Sequence, residues 1–198
     1  TSIRSELNST LVKNVYKSYA NTWKDIQERL YANDDFGAEL KKTNLVKDLL
    51  PQEIKSIPVT LERANAILKF VHKNYTWNKE DAVFCDKGIK NLINTKVGNT
   101  AEINLLLTML LQNAGINADP VVLSTVNQGI LLAYNPSIAQ LNYVLASFKD
   151  KDKIYLADGT VKQSEINMIA PKALNYYGII MGEKTAQQIN ILYTEVSK

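Results

Sequence analysis

The feature that most constrains this chain lies at residues 99–115. Ile103, Leu105, Leu106, Leu107, Met109, Leu110 and Leu111 cover nearly the whole circumference of one helix. A helix that is apolar all round is buried on every side, so the rest of the chain has to wrap it. Its ends are specified as well. Asn99 can cap the first turn, and Glu102, three residues on, can reach back to the N–H of the cap. Gly115 supplies a left-handed stop at the other end.

After that helix the apolar period changes to two. Residues 120–126, 141–148 and 154–157 read as strands rich in Val, Leu, Ile and Tyr, with 150–152 as the turn of a hairpin. Residues 127–140 form a long loop carrying Gly129 and Pro136. The chain after Gly159 is irregular and ends in a short helix or strand near 186–193. Ahead of the buried helix, Val12, Tyr16, Tyr19, Trp23, Ile26 and Leu30 recur at alternating spacings of four and three, which predicts one long helix over 6–33. Its stripe packs on the rest of the chain or docks a partner or upstream domain through Trp23. A shorter helix is expected over 36–50, stopped by Pro51. Another is expected over 60–74, capped by Thr60, with Leu61, Ala64, Leu68 and Val71 on one face. Residues 75–85 read as loop and 87–94 as a short helix. Helices, a buried helix, then an antiparallel meander make the fold class α+β.

Composition narrows the chemistry. The 198 residues carry 23 basic and 20 acidic side chains, net +3, which is too balanced to argue for nucleic acid or an anionic membrane as partner. The segment 149–153 alternates in sign and reads as a solvated turn. One cysteine, Cys85, excludes an internal disulfide, and one histidine, His72, excludes any site needing two. No carboxylate cluster suggests a zinc site, so neither metal nor cofactor is expected. No apolar run approaches the roughly 18–20 residues that span a bilayer, so this segment is not expected to insert into a membrane.

Four short motifs then fall in a telling order: Gly98-Asn99-Thr100, Asn113-Ala114-Gly115-Ile116, Leu141-Asn142-Tyr143 and Leu156-Ala157-Asp158-Gly159-Thr160. Their order and spacing across 97–160 resemble the core of the transglutaminase-like superfamily, the papain-related thiol enzymes. In that family a Gly-x-Cys motif opens a buried helix, one strand carries Asn-His, and the next ends in Asp before a small residue and Thr. The upstream helix and Tyr75-Thr76-Trp77-Asn78 also fit. More narrowly, the segment 98–125 resembles a bacterial subgroup found in Bacteroidetes, where the core follows another domain in a larger exported protein. The resemblance implies a papain-like core, with a buried central helix on an antiparallel sheet and added N-terminal helices. It implies a helical segment over 1–57 leading from an upstream domain, a core over 58–198, and a periplasmic or otherwise exported location.

The departures bear on function. Carried over position by position, the nucleophilic Cys becomes Thr100, the general-base His becomes Tyr143, and only the orienting Asp survives, as Asp158. A Cys at a helix N-terminus beside a His is driven toward the thiolate that attacks an amide carbonyl. A Thr hydroxyl needs a strong base within reach, and a phenol with a reference pKa of about 10 is not one at neutral pH. Losing members of such a unit costs several orders of magnitude in rate. Thr100 is then a first-turn helix residue. Tyr143 packs its ring in the vacated cleft and hydrogen-bonds through its hydroxyl, with Asp158 as the partner to expect. Trp77 stands where the family has a cleft-side aromatic, so Trp77, Asn142, Tyr143 and Asp158 are the candidate cleft residues. Cys85 reads as an inert loop thiol, His72 as a surface or helix-face histidine away from the motif, and Asn104 as a buried hydrogen-bonding group.

The expectation is a non-catalytic domain serving as a binding or scaffolding module for a peptide, glycan or protein and for its neighbouring domains. The alternative is a hydrolase or acyltransferase of altered chemistry using Thr100 or Cys85.

Overall fold

A computed structural model describes residues 9–12, 15–18, 22–131 and 135–191. At its centre is α6 (Thr100–Asn113), and every residue from 100 to 111 on it is buried, as its apolar circumference demands. Asn99 Oδ1 accepts from the Glu102 N–H at 2.9 Å while Glu102 Oε2 accepts from the Asn99 N–H at 2.9 Å, which closes the expected capping box. Gly115 follows with φ of 76°.

Against α6 packs a fully antiparallel five-stranded sheet in the order β7-β6-β5-β8-β9. The strands are β5 (Ala118–Leu123), β6 (Tyr143–Asp150), β7 (Lys153–Ala157), β8 (Tyr177–Met181) and β9 (Ala186–Asn190). The β6–β7 hairpin turns at 151–152, with Asp150 facing Lys153. After β7 the chain crosses the sheet and returns beside β5, so residues 158–176 form a long connection over one end of the strands. Strand β8 lies in the stretch that the sequence left irregular, while β9 falls in the short helix or strand expected near 186–193 and settles it as a strand. Gln187 and Gln188 give β9 no apolar alternation to read, and its pairing with β8 fixes it instead.

The other face of α6 is covered by α4 (Thr60–Asn74) and α5 (Ile89–Thr95). Thr60 is the first residue of α4 rather than its cap: the cap position is Val59, and no side chain bonds there. A two-stranded parallel bridge, β3 (Thr76–Trp77) with β4 (Val97–Gly98), leads into α6. Two buried glutamates satisfy the amides that start α5. Glu102 Oε1 accepts from Lys87 and Gly88, and Glu39 Oε2 accepts from Ile89. Gly88 has φ of 82°, and a Cβ there would stand 2.6 Å from Glu39 Oε1, so only glycine fits.

The N-terminal third departs from its expected single helix over 6–33. Residues 9–12 and 15–18 pair as antiparallel strands, β1 (Ser9–Val12) with β2 (Val15–Ser18), and the helix α1 spans only Trp23–Ala32. Thr10, Val12, Val15 and Tyr16 are β-branched or aromatic and prefer extended backbone, and Thr22 caps α1 with its own capping box to Asp25. The periodic spacing of Val12 and Tyr16 with Trp23 was coincidental, and Tyr19 lies outside the described residues. The expected helix over 36–50 is broken into α2 (Gly37–Leu40) and a 3-10 turn (Thr43–Leu45), with a further short helix α3 (Gln52–Lys55) beyond Pro51. Ile26, Leu30, Phe36, Leu40, Val46 and Leu50 share one hydrophobic core with α4, α5 and α6. Tyr31 Oη donates to the Met181 carbonyl at 2.7 Å, and Gln27 donates to the carbonyls of Gly182 and Glu183, so α1 is tied to the β8–β9 turn.

Candidate functional site

The capping box at Asn99 fixes the first turn of α6, and with it Thr100. That side chain is fully buried. Its Oγ1 donates to the Glu80 carbonyl at 3.0 Å and lies 3.3 Å from Asp81 Oδ1. Its own N–H, and Trp77 Nε1, donate to the same Glu80 carbonyl. Asp81 in turn pairs with Lys172 at 2.6 Å. Lys172 belongs to a 3-10 turn, Pro171–Ala173, in the long connection after β7. Its ammonium stands 4.0 Å from the centroid of the Trp77 ring and 5.3 Å from that of Tyr143, both within cation–π range. A second ammonium, Lys79, lies 4.8 Å from the Trp77 centroid.

Tyr143 and Asp158 form the floor. Tyr143 Oη donates to Asp158 Oδ2 at 2.9 Å and shares a 2.9 Å bond with Thr160 Oγ1. Asp158 Oδ2 also accepts from Ala170 N–H. Its Oδ1 accepts from Asn104 Nδ2, from Thr160 N–H and from Thr160 Oγ1. Asn104, the one strongly polar residue on the inner turns of α6, bonds in addition to the Val144 carbonyl and accepts from Gly159 N–H. A Cβ on Gly159 would come within 2.8 Å of Ile103, so the turn after Asp158 can press onto α6 only with glycine there. Burial, then the adjacent Asp158 carboxylate, push the Tyr143 phenol far above its usual value.

Of the candidate residues, Tyr143 and Asp158 meet directly, while Thr100 and Trp77 join them through Asp81 and Lys172. Asn142 does not join this cluster. Its side chain exchanges two hydrogen bonds with Thr125, to the backbone N–H at 2.8 Å and to Oγ1 at 2.9 Å, and so pins the ends of β5 and β6. Asp81 and Lys172 were not among the sequence candidates. They lie 91 positions apart, and neither stands in a motif.

His72 departs from the expected position. It is buried, and its Nε2 stands 3.2 Å from the Asp158 carbonyl. A carbonyl only accepts, so Nε2 carries the proton. The imidazole therefore touches the backbone behind Asp158 and not its carboxylate. Burial holds its pKa below the usual histidine range. Cys85 is 5% exposed. Burial, then Glu102, Glu39 and Asp35 around it, push its thiol up, which is opposite to what a nucleophilic thiolate needs.

Among the described residues no three His, Cys, Asp or Glu side chains gather to hold a metal, and no helix is long and apolar enough to cross a membrane. The hydroxyl of Thr100 gives its proton to a carbonyl, and the Asp81 carboxylate beside it is paired with Lys172. The arrangement positions and buries these groups.

The fold and motifs meet in one comparison. The family model of the transglutaminase-like superfamily matches residues 49–157, more than half of the chain, and the chain belongs to that superfamily. A crystal structure of a candidate protease from Parabacteroides distasonis shares the fold with a TM-score of 0.54 at 12% identity, over 96% of this chain and 36% of that one. The chain thus spans about a third of that protein. LapG of Legionella pneumophila aligns with a TM-score of 0.42 and 12% identity, over 80% of this chain and 84% of its own. No curated protein sequence matches.

Proposed function

We propose that this chain is a non-catalytic transglutaminase-like domain, a binding or scaffolding module of a larger exported bacterial protein. The observation that supports it best is the filled cleft at the head of α6. Thr100 donates to the Glu80 carbonyl, and Tyr143 donates to the carboxylate that would orient an imidazole. Both positions are spent on holding the fold. Part-length coverage of the Parabacteroides distasonis structure supports a larger parent chain. The exported, Bacteroidetes-type setting rests on the motif resemblance, as does an upstream domain joined through residues 1–57.

The test is turnover. Peptide substrates with glutamine or backbone amides are incubated with the chain and with Thr100→Ala, and ammonia release and cleavage are followed. The expected result is no turnover above buffer from either. Turnover by the unmodified chain that vanishes in Thr100→Ala would overturn the proposal, as would electrophilic labelling of Thr100 or Cys85 found by mass spectrometry in the folded protein.

A further inference from the structure

Behind Asp158, on the side away from Tyr143, lies a recess of about 640 Å³ between α4 and the segment 162–165. That volume is in the range of small-molecule sites. Its floor is polar and buried: His72 Nε2 and Ser164 Oγ both turn toward the Asp158 carbonyl. Three of its seven lining residues are lysines. Lys69 and Lys73 stand four residues apart on α4, where like charges on one helix face repel. Lys162, from the segment on the other side, also lines it.

Among the described residues none of these three ammonium groups has a carboxylate within ion-pair distance. Lys162 is held by the carbonyls of His72 and Tyr75, at the C-terminal end of α4, where a helix favours a cation. Among the described residues no comparable hydrogen bond serves Lys69 or Lys73. Glu165 lines the rim but pairs with none of them, so three cations face one carboxylate.

We propose that this recess binds a small organic anion, one that presents a carboxylate or a phosphate to Lys69 and Lys73. The lysine stems give such a ligand an apolar wall, and their ammonium groups give charge-assisted bonds. A concave site of this size, on a chain with net charge of only +3, does not suit an extended polyanion such as nucleic acid. The proposal is separate from the reading of the Thr100 cleft, which turnover tests.

The experiment is calorimetric titration of the full chain with glucuronate, glucose 6-phosphate and glucose, at matched ionic strength. At least one of the two anions should bind saturably with one-to-one stoichiometry, and neutral glucose should not. The double variant Lys69→Ala/Lys73→Ala changes only exposed side chains on a helix and should weaken that binding about tenfold or more. Which anion binds distinguishes a carboxylate ligand from a phosphate ester. The proposal is overturned if neither anion saturates below about 10 mM, or if the double variant binds as tightly as the parent.

Discussion

The hydroxyl of Tyr143 donates to Oδ2 of Asp158 at 2.9 Å, in a place where both side chains are fully buried. Asp158 also collects Ala170 N–H, Asn104 Nδ2 and both donors of Thr160. Tyr143→Phe removes one donor and keeps the ring, so it should cost about 1–3 kcal/mol in urea unfolding. Asp158→Ala strands every remaining donor and should cost about 3 kcal/mol or more, or prevent folding. Equal, small losses in the two variants would show that the carboxylate does not anchor the turn.

Lys172 bridges Asp81, Trp77 and Tyr143. Lys172→Met keeps an apolar stem and removes the charge. In a Trp23→Phe background, where Trp77 is the one tryptophan left, its emission should shift and its quenching by acrylamide should rise. The stability loss should stay within about 1 kcal/mol, because the ion pair is partly exposed. An unchanged Trp77 spectrum would contradict the contact.

Cys85 should resist a thiol reagent such as Ellman's reagent in the folded protein and react at once in urea. Burial and three nearby carboxylates disfavour its thiolate. Rapid stoichiometric reaction without denaturant would show the loop over it to be open.

For His72 the sign follows from linkage. Burial holds the folded-state pKa below the usual value, so the unfolded chain takes up the proton first as the pH falls. Its contribution is whole above the unfolded pKa of about 6.5 and is lost as pH falls through the lower folded value. Unfolding midpoints should therefore decline from about pH 7 toward pH 5. His72→Gln, which can still donate to the Asp158 carbonyl, should flatten that window. A slope that persists unchanged in His72→Gln would assign it to other groups.

Much of the centre was legible in the sequence. The apolar circumference of α6, its Asn99–Glu102 cap and the Gly115 stop are local signals, and local signals fixed the helix to within a residue or so at each end. The Tyr143–Asp158 contact followed from motif order. The pairing of β1 with β2 did not, because the spacing of Val12, Tyr16 and Trp23 imitates a helical period while extended-backbone preference decides the structure. His72 was misplaced for a different reason. Periodicity shows which residues of α4 share a face, but not that a turn from beyond β7 arrives to bury the far side. Asp81 and Lys172 meet only through the long connection across the sheet, which no local pattern announces.

That connection, residues 158–176, leaves from the outermost strand and re-enters beside the middle one. Along its length it carries the Asp158 floor, the Lys162 bond to the end of α4 and the Lys172 bridge to Trp77. The Thr100 cluster and the recess beside His72 therefore hang on one strap. In hydrogen exchange its protected amides should be released together, as a single cooperative unit.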